Sequence, residues 1–547
     1  MTEPVVIIGT GAGGGAAAWM LTQKGIPVIA LEAGPAFEPS RDYTLNQPDW
    51  ERNGFPYKAN SQSRYSFGPL QTLDPAWDHL RSWNIVAGRS NTGNTRQVSG
   101  TGHHHVRGVG GSTLHFTGEA HRLMPDSLTP FSATGITAWP LDYDTLEPWY
   151  TLAESTIGVA GPLPDGQEPR WRSRTTLQPA HPFCAASRLV QSKSGTDFNW
   201  VANTRAALSR SLDGRPSCNY CANCQMGCPR GDKGSVDVTF IRQAHATGLL
   251  QLRTECQVTR LMLDDNRRVS GLLYVDARGE QHQLACSQVI LAAGAIETPR
   301  LLLNSPPLAA LNNRIGKHLM MHLSWISSGM VGDDILTHRG LPADMICWDH
   351  CHTGKDRSTA GGYRFGVSTT EVRFTGPINY AQRAIPGWGH SHKQAMRQRF
   401  GKALSIGAIG ASLPNPKTFI DLDPVRKDRA GMPLARIHHD LPGTELERLT
   451  RMQATCRKVL QLSGAAGLVE EYGNYDLLSS THTLGTCRMG SSPEDSVTDA
   501  YGRFHAVENL HICDASLFPN SGNGEAPSLT VEALALRTAS HLADRLR

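Results

Sequence analysis

The first part of the chain alternates apolar runs with glycine-rich turns. Val5–Ile8 is a continuous apolar run, as expected of a strand that is buried on both faces. Apolar residues at helical spacing follow in Ala16–Leu21, and a turn at Gly25 leads into a second apolar run, Val28–Leu31. This order predicts a strand, a helix and a second strand of an α/β fold.

The turn between the first strand and the helix carries a dinucleotide-binding pattern. Gly9, Gly11 and Gly14 form G-x-G-x-x-G between strand and helix, and Glu32 ends the second strand about twenty residues later. Such glycines let the backbone approach a pyrophosphate at the helix N-terminus, and the carboxylate accepts hydrogen bonds from ribose hydroxyls. The pattern predicts dinucleotide binding, with a glycine-rich turn without ligand as the alternative. It leaves NAD and FAD open.

Two later segments repeat the buried-strand pattern. Val289–Ala293 is an apolar run that ends at Gly294, and Leu510–Cys513 reads as a strand that leads into a turn at Asp514. No apolar run approaches the roughly eighteen residues of a membrane span. The sequence therefore predicts further strands of the same sheet type and no membrane span of the chain's own.

Composition and charge exclude some classes of partner. The 547 residues allow three or four domains. The 53 basic and 49 acidic residues give a formal charge of +4, which argues against nucleic acid as the main partner. Because the segment 4–9 already reads as a core strand, no signal peptide fits ahead of it, and a cytoplasmic location is expected.

Four of the twelve cysteines lie in one short run. Its spacing, C-x2-C-x2-C-x3-C-P, is the one that bacterial ferredoxins use to hold an iron–sulfur cluster, and it is formed by Cys218, Cys221, Cys224 and Cys228. Tetrahedral zinc and free or disulfide-bonded thiols are the alternatives. The remaining cysteines are dispersed, which fits reduced thiols better than a disulfide framework.

Several further motifs resemble those of the glucose–methanol–choline (GMC) oxidoreductase family. In chain order they are 32–35, 107–113, 139–150, 294–302, 316–322, 421–424 and 481–490. The resemblance runs from residue 4 to about residue 545, and it favours FAD over NAD. It implies a Rossmann-like FAD-binding domain assembled from discontinuous segments, together with a substrate domain that is built on an antiparallel sheet.

The resemblance also implies domain boundaries. The FAD-binding domain takes residues 1–35, 100–125, 230–320 and 480–547. The substrate or cap domain takes residues 36–99, 126–210 and 321–479, and residues 211–235 form a cysteine-rich iron–sulfur insert. The region from about 330 to 400, rich in aromatic residues and histidine, is expected to shape the substrate pocket.

His482 is the candidate catalytic base. It lies in a segment that resembles the family motif H-x-x-G-T-x-R-M-G, whose histidine faces the flavin. Imidazole suits removal of a hydroxyl proton near neutral pH while hydride leaves the carbon for flavin N5. Relatives place a second histidine or asparagine some forty residues later, where this chain has Ala526-Pro527. Asn523 and Glu525 are the nearest replacements, and the sequence leaves the choice between them open.

The resemblance implies a set of cofactor-binding residues around the flavin. They are Gly9, Gly11, Gly14, Glu32, Gly110, Gly111, Ser112, His115, Val258, Asp514 and Ala515. Some family members attach the flavin covalently to a histidine at the position of His115, whereas others carry this histidine without a bond.

The cysteine run most resembles that of the catalytic subunits of bacterial membrane-associated sugar and gluconate dehydrogenases. In the glucose and fructose types, three cysteines hold a [3Fe–4S] cluster, and their spacing selects Cys218, Cys224 and Cys228 here. Cys221 is extra and keeps a [4Fe–4S] cluster open. Such relatives work with a small subunit that carries the export signal and with a membrane cytochrome c subunit. The resemblance thus implies export to the periplasmic face of the inner membrane as an alternative to the cytoplasm.

These features predict an FAD-dependent dehydrogenase of a sugar, polyol or other alcohol, with the cysteine run as an electron relay to a cytochrome or quinone. One alternative is an alcohol oxidase that uses oxygen and has structural cysteines. A second is a lyase that retains FAD without redox turnover, and a third is a non-catalytic electron-transfer or binding protein.

Overall fold

The computed structural model describes residues 3–43, 51, 66–67, 105–128, 138–162, 170–174, 177–351, 361–371, 373–474 and 481–547. The strands are β1 (Val5–Ile8), β2 (Val28–Leu31), β3 (Ser66–Phe67), β4 (Ala160–Gly161), β5 (Gln178–Pro179), β6 (Trp200–Ala202), β7 (Leu250–Arg253), β8 (Gln257–Leu263), β9 (Val269–Val275), β10 (Gln281–Ala285), β11 (Val289–Leu291), β12 (Met320–Met321), β13 (Leu323–Met330), β14 (Met345–Cys347), β15 (Tyr363–Val367), β16 (Ala403–Gly410), β17 (Phe419–Lys427), β18 (Pro433–His438), β19 (Leu468–Gly473), β20 (Thr483–Leu484) and β21 (Leu510–Ile512).

The α-helices are Ala12–Gln23, Pro39–Asp42, Tyr143–Ile157, Ala185–Ser194, Arg242–Ala246, Gly294–Leu303, Pro306–Ala309, Pro377–Asn379, Gly389–Arg399, Gly443–Leu462 and Ser528–Leu546. Short 3-10 helices are Gly111–Leu114, Pro125–Leu128, Cys224–Met226 and Ala515–Leu517, and π-helices are Asp237–Ile241 and Tyr380–Ala384. Most of the predicted segment 36–99 lies outside the described residues, and the domain boundaries stay a prediction.

A parallel sheet in the order β21-β11-β1-β2-β7 carries the glycine-rich turn. Every residue of β1 is buried, in agreement with its continuous apolar run. The α/β class is therefore confirmed, as are the strands predicted at β1, β2, β11 and β21. Two details differ: β11 ends at Leu291, because the chain there turns into the helix Gly294–Leu303, and the edge strand β7 has no comparable apolar run.

The first helix, Ala12–Gln23, packs between this sheet and the last helix, Ser528–Leu546. Ala16, Ala17 and Ala18 are fully buried, and their small side chains allow close approach. Residues from the two ends of the chain thus share one core, as the predicted assembly from discontinuous segments requires.

A six-stranded antiparallel sheet, in the order β19-β13-β16-β15-β14-β6, forms the second layer. Side chains alternate across it: Trp325 and Phe365 pack in a second core with the helix Gly443–Leu462, whereas Ile326 and Arg364 face a cavity. The predicted antiparallel sheet is therefore present, and one of its faces forms a wall of the candidate site. No helix in the described ranges is both long and apolar enough to cross a bilayer.

Candidate functional site

A cavity of about 520 Å³ lies between the carboxyl ends of β1 and β2 and the antiparallel sheet. It brings together many residues that the sequence predicts, namely Gly9, Gly11, Glu32, Gly111, Ser112, His115, Val258, His482, Asp514 and Ala515. The other predicted residues lie outside the lining, namely Gly14, Gly110, Asn523, Glu525 and the four cysteines of the run.

The glycine-rich turn brings backbone atoms close to the cavity. Gly9 has a φ of 92°, and a Cβ atom there would lie 2.6 Å from the carbonyl oxygen of Ala292. A Cβ atom on Gly14 would lie 1.9 Å from the carbonyl oxygen of Gly9, so Gly14 lets the first helix pack on β1. The helix begins directly after Gly11, and its first N–H groups form a site suited to an anion such as a pyrophosphate.

Glu32, at the end of β2, is held by four hydrogen bonds. One carboxylate oxygen accepts from the N–H groups of Gly34 (3.0 Å) and Gly108 (3.1 Å). The other accepts from the N–H (3.0 Å) and the hydroxyl (2.8 Å) of Thr10. Burial raises the pKa of Glu32, and these hydrogen bonds oppose that shift. The Glu32 carboxylate therefore links the three loops that contain Thr10, Gly34 and Gly108. Contact between Glu32 and a ribose stays a prediction.

The turn before Ser112 meets the glycine-rich turn at backbone distance. Gly111 has a φ of 54°, and a Cβ atom there would lie 2.7 Å from the Cα atom of Gly11. Gly110 supports the turn from behind, because its carbonyl accepts a 2.6 Å hydrogen bond from the hydroxyl of Thr113. His115 is buried on the cavity wall, and covalent attachment of a flavin to it stays a prediction.

Asp514 joins the turn after β21 to the helix that follows β11. One of its oxygens accepts hydrogen bonds from the N–H of Gly294 (2.9 Å) and the hydroxyl of Thr298 (2.5 Å), and the other accepts from the N–H of Ser516 (2.8 Å). Burial raises the pKa of Asp514 against these bonds. The carboxylate thus fixes the cavity wall that contains Ala515.

His482 lines the cavity directly before β20. Its Nδ1 atom is 3.0 Å from Nδ1 of His322, a residue that the sequence placed in a family motif but gave no role. Burial and the nearby Arg364 guanidinium lower the pKa of His482 to about 4, and the Glu119 carboxylate partly opposes them. The imidazole is therefore neutral near pH 7 and able to accept a proton.

Arg364 and Glu119 are cavity residues that the sequence did not single out. The Arg364 guanidinium donates to Glu119 (2.5 Å) and to the carbonyl of Gly524 (2.7 Å). Burial raises the pKa of Glu119, but Arg364, His121 and Arg205 together bring it down to about 2. The signal in the sequence that could have pointed to Arg364 is its charge, since the rest of strand β15 is apolar or aromatic.

Asn523 and Glu525 hold a loop together beside the site. The Glu525 carboxylate accepts from the N–H groups of Met124 (3.1 Å) and Asn523 (2.5 Å). The Asn523 side chain accepts from the N–H of Gly362 (2.9 Å) and donates to the hydroxyl of Ser127 (3.1 Å). The structure does not bring either side chain to the cavity wall.

The cavity wall instead contains Ala526. Its N–H donates to Nδ1 of His121 (3.0 Å), so Nε2 of His121 is the donor to the Asn203 side chain (2.7 Å). The polar side chains that contact or act on His482 are Arg364, Glu119, His121 and His322.

The cysteine run lies against the cavity wall. Its four thiols are half-buried and free, and burial raises their pKa values. Gln225, directly after Cys224, lines the cavity. The buried ammonium of Lys233 donates to the carbonyls of Cys224 (2.8 Å), Leu114 (2.9 Å) and Phe116 (3.0 Å), and so ties the run to the loop that contains His115.

The spacing of the thiols bears on which metal group they suit. Among the described residues, the one group of three potential ligands with all ligand atoms within 4.8 Å is Asp276, Glu280 and His282, on an exposed hairpin. Tetrahedral zinc with Zn–S bonds of about 2.3 Å needs its sulfurs about 3.8 Å apart. The thiols of the cysteine run do not form such a group among the described residues, and the choice between an iron–sulfur cluster and zinc stays a prediction.

Comparison with protein families finds two matching segments. Residues 181–324 match the N-terminal and residues 414–535 the C-terminal family model described as GMC oxidoreductase. In fold, the chain is similar to formate oxidase of Aspergillus oryzae RIB40, with a TM-score of 0.64, 13% identity and coverage of 100% of this chain and 99% of that chain.

Three characterised proteins are similar over nearly the whole chain. The 2-methyl-1,2-propanediol dehydrogenase of Mycolicibacterium austroafricanum is 27% identical, over 99% of this chain and 95% of its own length. The fructose dehydrogenase large subunit of Gluconobacter japonicus is 27% identical, over 100% and 99%. The 6'''-hydroxyparomomycin C oxidase of Streptomyces lividus is 29% identical, over 98% and 92%.

Proposed function

We infer the function of this chain from its membership of the GMC oxidoreductase family, in which it is an FAD-dependent oxidoreductase acting on CH–OH donors. We propose that it is a dehydrogenase of a sugar, polyol or other alcohol, and that its electrons leave one at a time through an iron–sulfur cluster. The position of the cysteine run against the flavin cavity is the observation that carries this proposal.

The residues around the cavity fit FAD. The first N–H groups of the helix Ala12–Gln23 suit the pyrophosphate, and side chains at Gly9 or Gly111 would collide with the backbone that forms the cradle. Bound FAD supplies the hydride acceptor, so oxidation of CH–OH to C=O delivers two electrons and one proton to the flavin and leaves the hydroxyl proton for a base.

His482 is the residue that takes the hydroxyl proton. It is neutral near pH 7 and lines the cavity, as a general base requires. Arg364 and Glu119 form a polar wall beside it that suits hydrogen bonding to further hydroxyl groups of a sugar or polyol. Because this chain has Ala526 where the family resemblance leads us to expect a second polar residue, Arg364 and Glu119 are proposed to orient the substrate.

The cysteine run is proposed to hold the cluster. Cys218, Cys224 and Cys228 would ligate a [3Fe–4S] cluster, which is favoured over a [4Fe–4S] cluster that includes Cys221. Such a cluster supplies one-electron transfer. Burial raises the pKa of the Cys224 thiol to about 12, and the buried cations Lys233 and Arg205 partly oppose this shift.

Partners and location are proposed from the same resemblance. The electron acceptor is a cytochrome or quinone, reached through a membrane cytochrome c subunit, and a small subunit assists export. The similarity to a fructose dehydrogenase large subunit supports a multi-subunit assembly. A periplasmic location follows if such a small subunit carries the export signal, and a cytoplasmic location follows without it.

One experiment tests the relay. Protein purified without oxygen is examined by absorbance and EPR spectroscopy, with flavin, iron and acid-labile sulfide assayed on the same sample. We expect about three irons per flavin, retained in Cys221→Ser and lost in Cys224→Ser. Four irons per flavin in the wild type, together with iron loss in both variants, would assign a [4Fe–4S] cluster. Wild-type protein that contains flavin but no iron would overturn the relay.

The oxygen-using oxidase is the second candidate, because a relative that is 29% identical is an oxidase. In this case the cysteines are structural. Stoichiometric hydrogen peroxide during turnover in air, from protein that lacks iron, would establish the oxidase. Turnover with an artificial one-electron acceptor and little peroxide would support the dehydrogenase.

A further inference from the structure

His322 and His482 face each other because two short strands pair. β12 and β20 are antiparallel, with Met320 opposite Leu484 and Met321 opposite Thr483. The same register places residue 322 opposite residue 482, and the His322 N–H donates to the His482 carbonyl (3.3 Å). The two rings meet edge to face, with their centroids 5.1 Å apart. This contact is therefore built by the backbone rather than by chance packing.

The hydrogen bonds of His322 determine where the protons lie. Its Nε2 atom is 2.7 Å from the carbonyl oxygen of Ser521, and a carbonyl only accepts, so Nε2 carries a proton. Burial, with His482 and Arg364, lowers the pKa of His322 to about 3, so this ring is neutral and its Nδ1 atom carries a lone pair. That lone pair lies 3.0 Å from Nδ1 of His482.

The proton between the two rings must therefore belong to His482. Its Nδ1 donates to His322, and in the neutral ring its Nε2 atom then carries the lone pair. The charged and titratable groups that act on His482 from neighbouring elements are Arg364, Glu119 and His121.

We propose that His322 is a positioning residue that fixes His482 in the tautomer with its lone pair on Nε2. The proposal rests on the proposed role of His482 as the base. When the substrate hydroxyl gives its proton to Nε2, His482 becomes a cation, and the Nδ1–H bond to His322 strengthens because its donor is charged. His322 keeps its own proton on Nε2 throughout, so it orients the base without taking part in the proton transfer.

The test compares His322→Asn with His322→Leu in the holoenzyme. Asparagine places an acceptor oxygen near the former Nδ1 position, whereas leucine fills space without an acceptor. The rate of flavin reduction is followed without oxygen, with D-fructose, D-gluconate or 2-methyl-1,2-propanediol, whichever reduces the wild-type flavin fastest. We expect His322→Leu to lower the limiting rate about 10- to 100-fold at unchanged substrate affinity, and His322→Asn to stay within about fivefold.

The outcomes separate this inference from the proposed function. A wild-type rate in His322→Leu, or equal losses in both variants, would overturn the positioning role. A wild-type rate in His482→Ala would instead overturn the base assignment. Neutron diffraction of crystals grown from the wild-type protein gives a second readout that needs no substrate. Deuterium on Nδ1 of His482 and on Nε2 of His322 is expected, and deuterium on Nε2 of His482 alone would refute the proposal.

Discussion

Replacing Lys233 with methionine is expected to loosen both the cysteine run and the loop that contains His115. The Lys233 ammonium is buried, and its three protons are used by three carbonyl oxygens at 2.8–3.0 Å. Each such bond to a charged donor is worth about 1.5–3 kcal/mol. Methionine fills similar space and avoids the desolvation of a charge, which offsets part of this loss. A net destabilisation of about 3–5 kcal/mol is expected, because three buried carbonyl oxygens lose their donor at a cost of about 1–3 kcal/mol each.

Hydrogen–deuterium exchange measures this loss where it occurs. If the run opens locally, a loss of about 3 kcal/mol raises exchange at the amides of residues 112–117 and 224–234 by roughly 150-fold. Lys24→Met is the matched control, since Lys24 pairs with the exposed Asp544 (2.6 Å) and such pairs contribute about 0–1 kcal/mol. Unchanged exchange in Lys233→Met would refute the idea that this ammonium holds the two loops together.

Three further outcomes follow from the geometry. Gly13→Ala should abolish FAD binding or folding, because the new Cβ atom would lie 1.6 Å from the Cys513 carbonyl oxygen. Gly443→Ala is the control: no atom lies within 4 Å of the new Cβ position, so flavin content and thermal stability should stay unchanged. Glu525→Gln should lower the unfolding temperature but keep the rate of flavin reduction, per bound flavin, within about threefold of the wild-type rate. A loss of about 100-fold or more would instead show that Glu525 is a catalytic residue. The pKa of His482 is lowered to about 4, so the rate of flavin reduction should be constant from about pH 8 to pH 5. The rate should then fall as the pH drops through about 4, because the base becomes protonated. A fall that already begins near about pH 6.5 would show that His482 has the ordinary pKa of histidine and would contradict this prediction.

The parallel sheet could be predicted from the sequence because each of its central strands is a continuous apolar run between glycine-rich turns. β1 and β2 are fixed by local pattern alone. The order of the antiparallel sheet could not be predicted, since its pairings join residues far apart in the chain. β16, for example, is rich in small residues, with glycines at positions 407 and 410 that give little indication of their partners.

The residues of the nucleotide-binding turns and His482 could be singled out from motifs, whereas Arg364 and the contact made by His322 could not. Gly9, Gly111 and Asp514 stand in spacings that only a few backbone geometries satisfy. Arg364 and His322 are single polar residues in apolar strands or next to them, where a buried structural role is as common as a functional one. Their approach to His482 depends on pairings that no local pattern encodes.

The order of strands in the parallel sheet also sets when this protein can fold during its synthesis. β21 pairs with β11, and the helix Ser528–Leu546 covers the helix that follows β1. At about 5–20 residues per second, the ribosome reaches β21 roughly 25–100 s after it has made β2. During this interval, the apolar surfaces that β21 and the helix Ser528–Leu546 cover in the folded protein are still uncovered. Flavin capture is therefore expected to follow translation rather than accompany it, and a nascent chain held in the ribosome would depend on chaperones to protect these apolar faces.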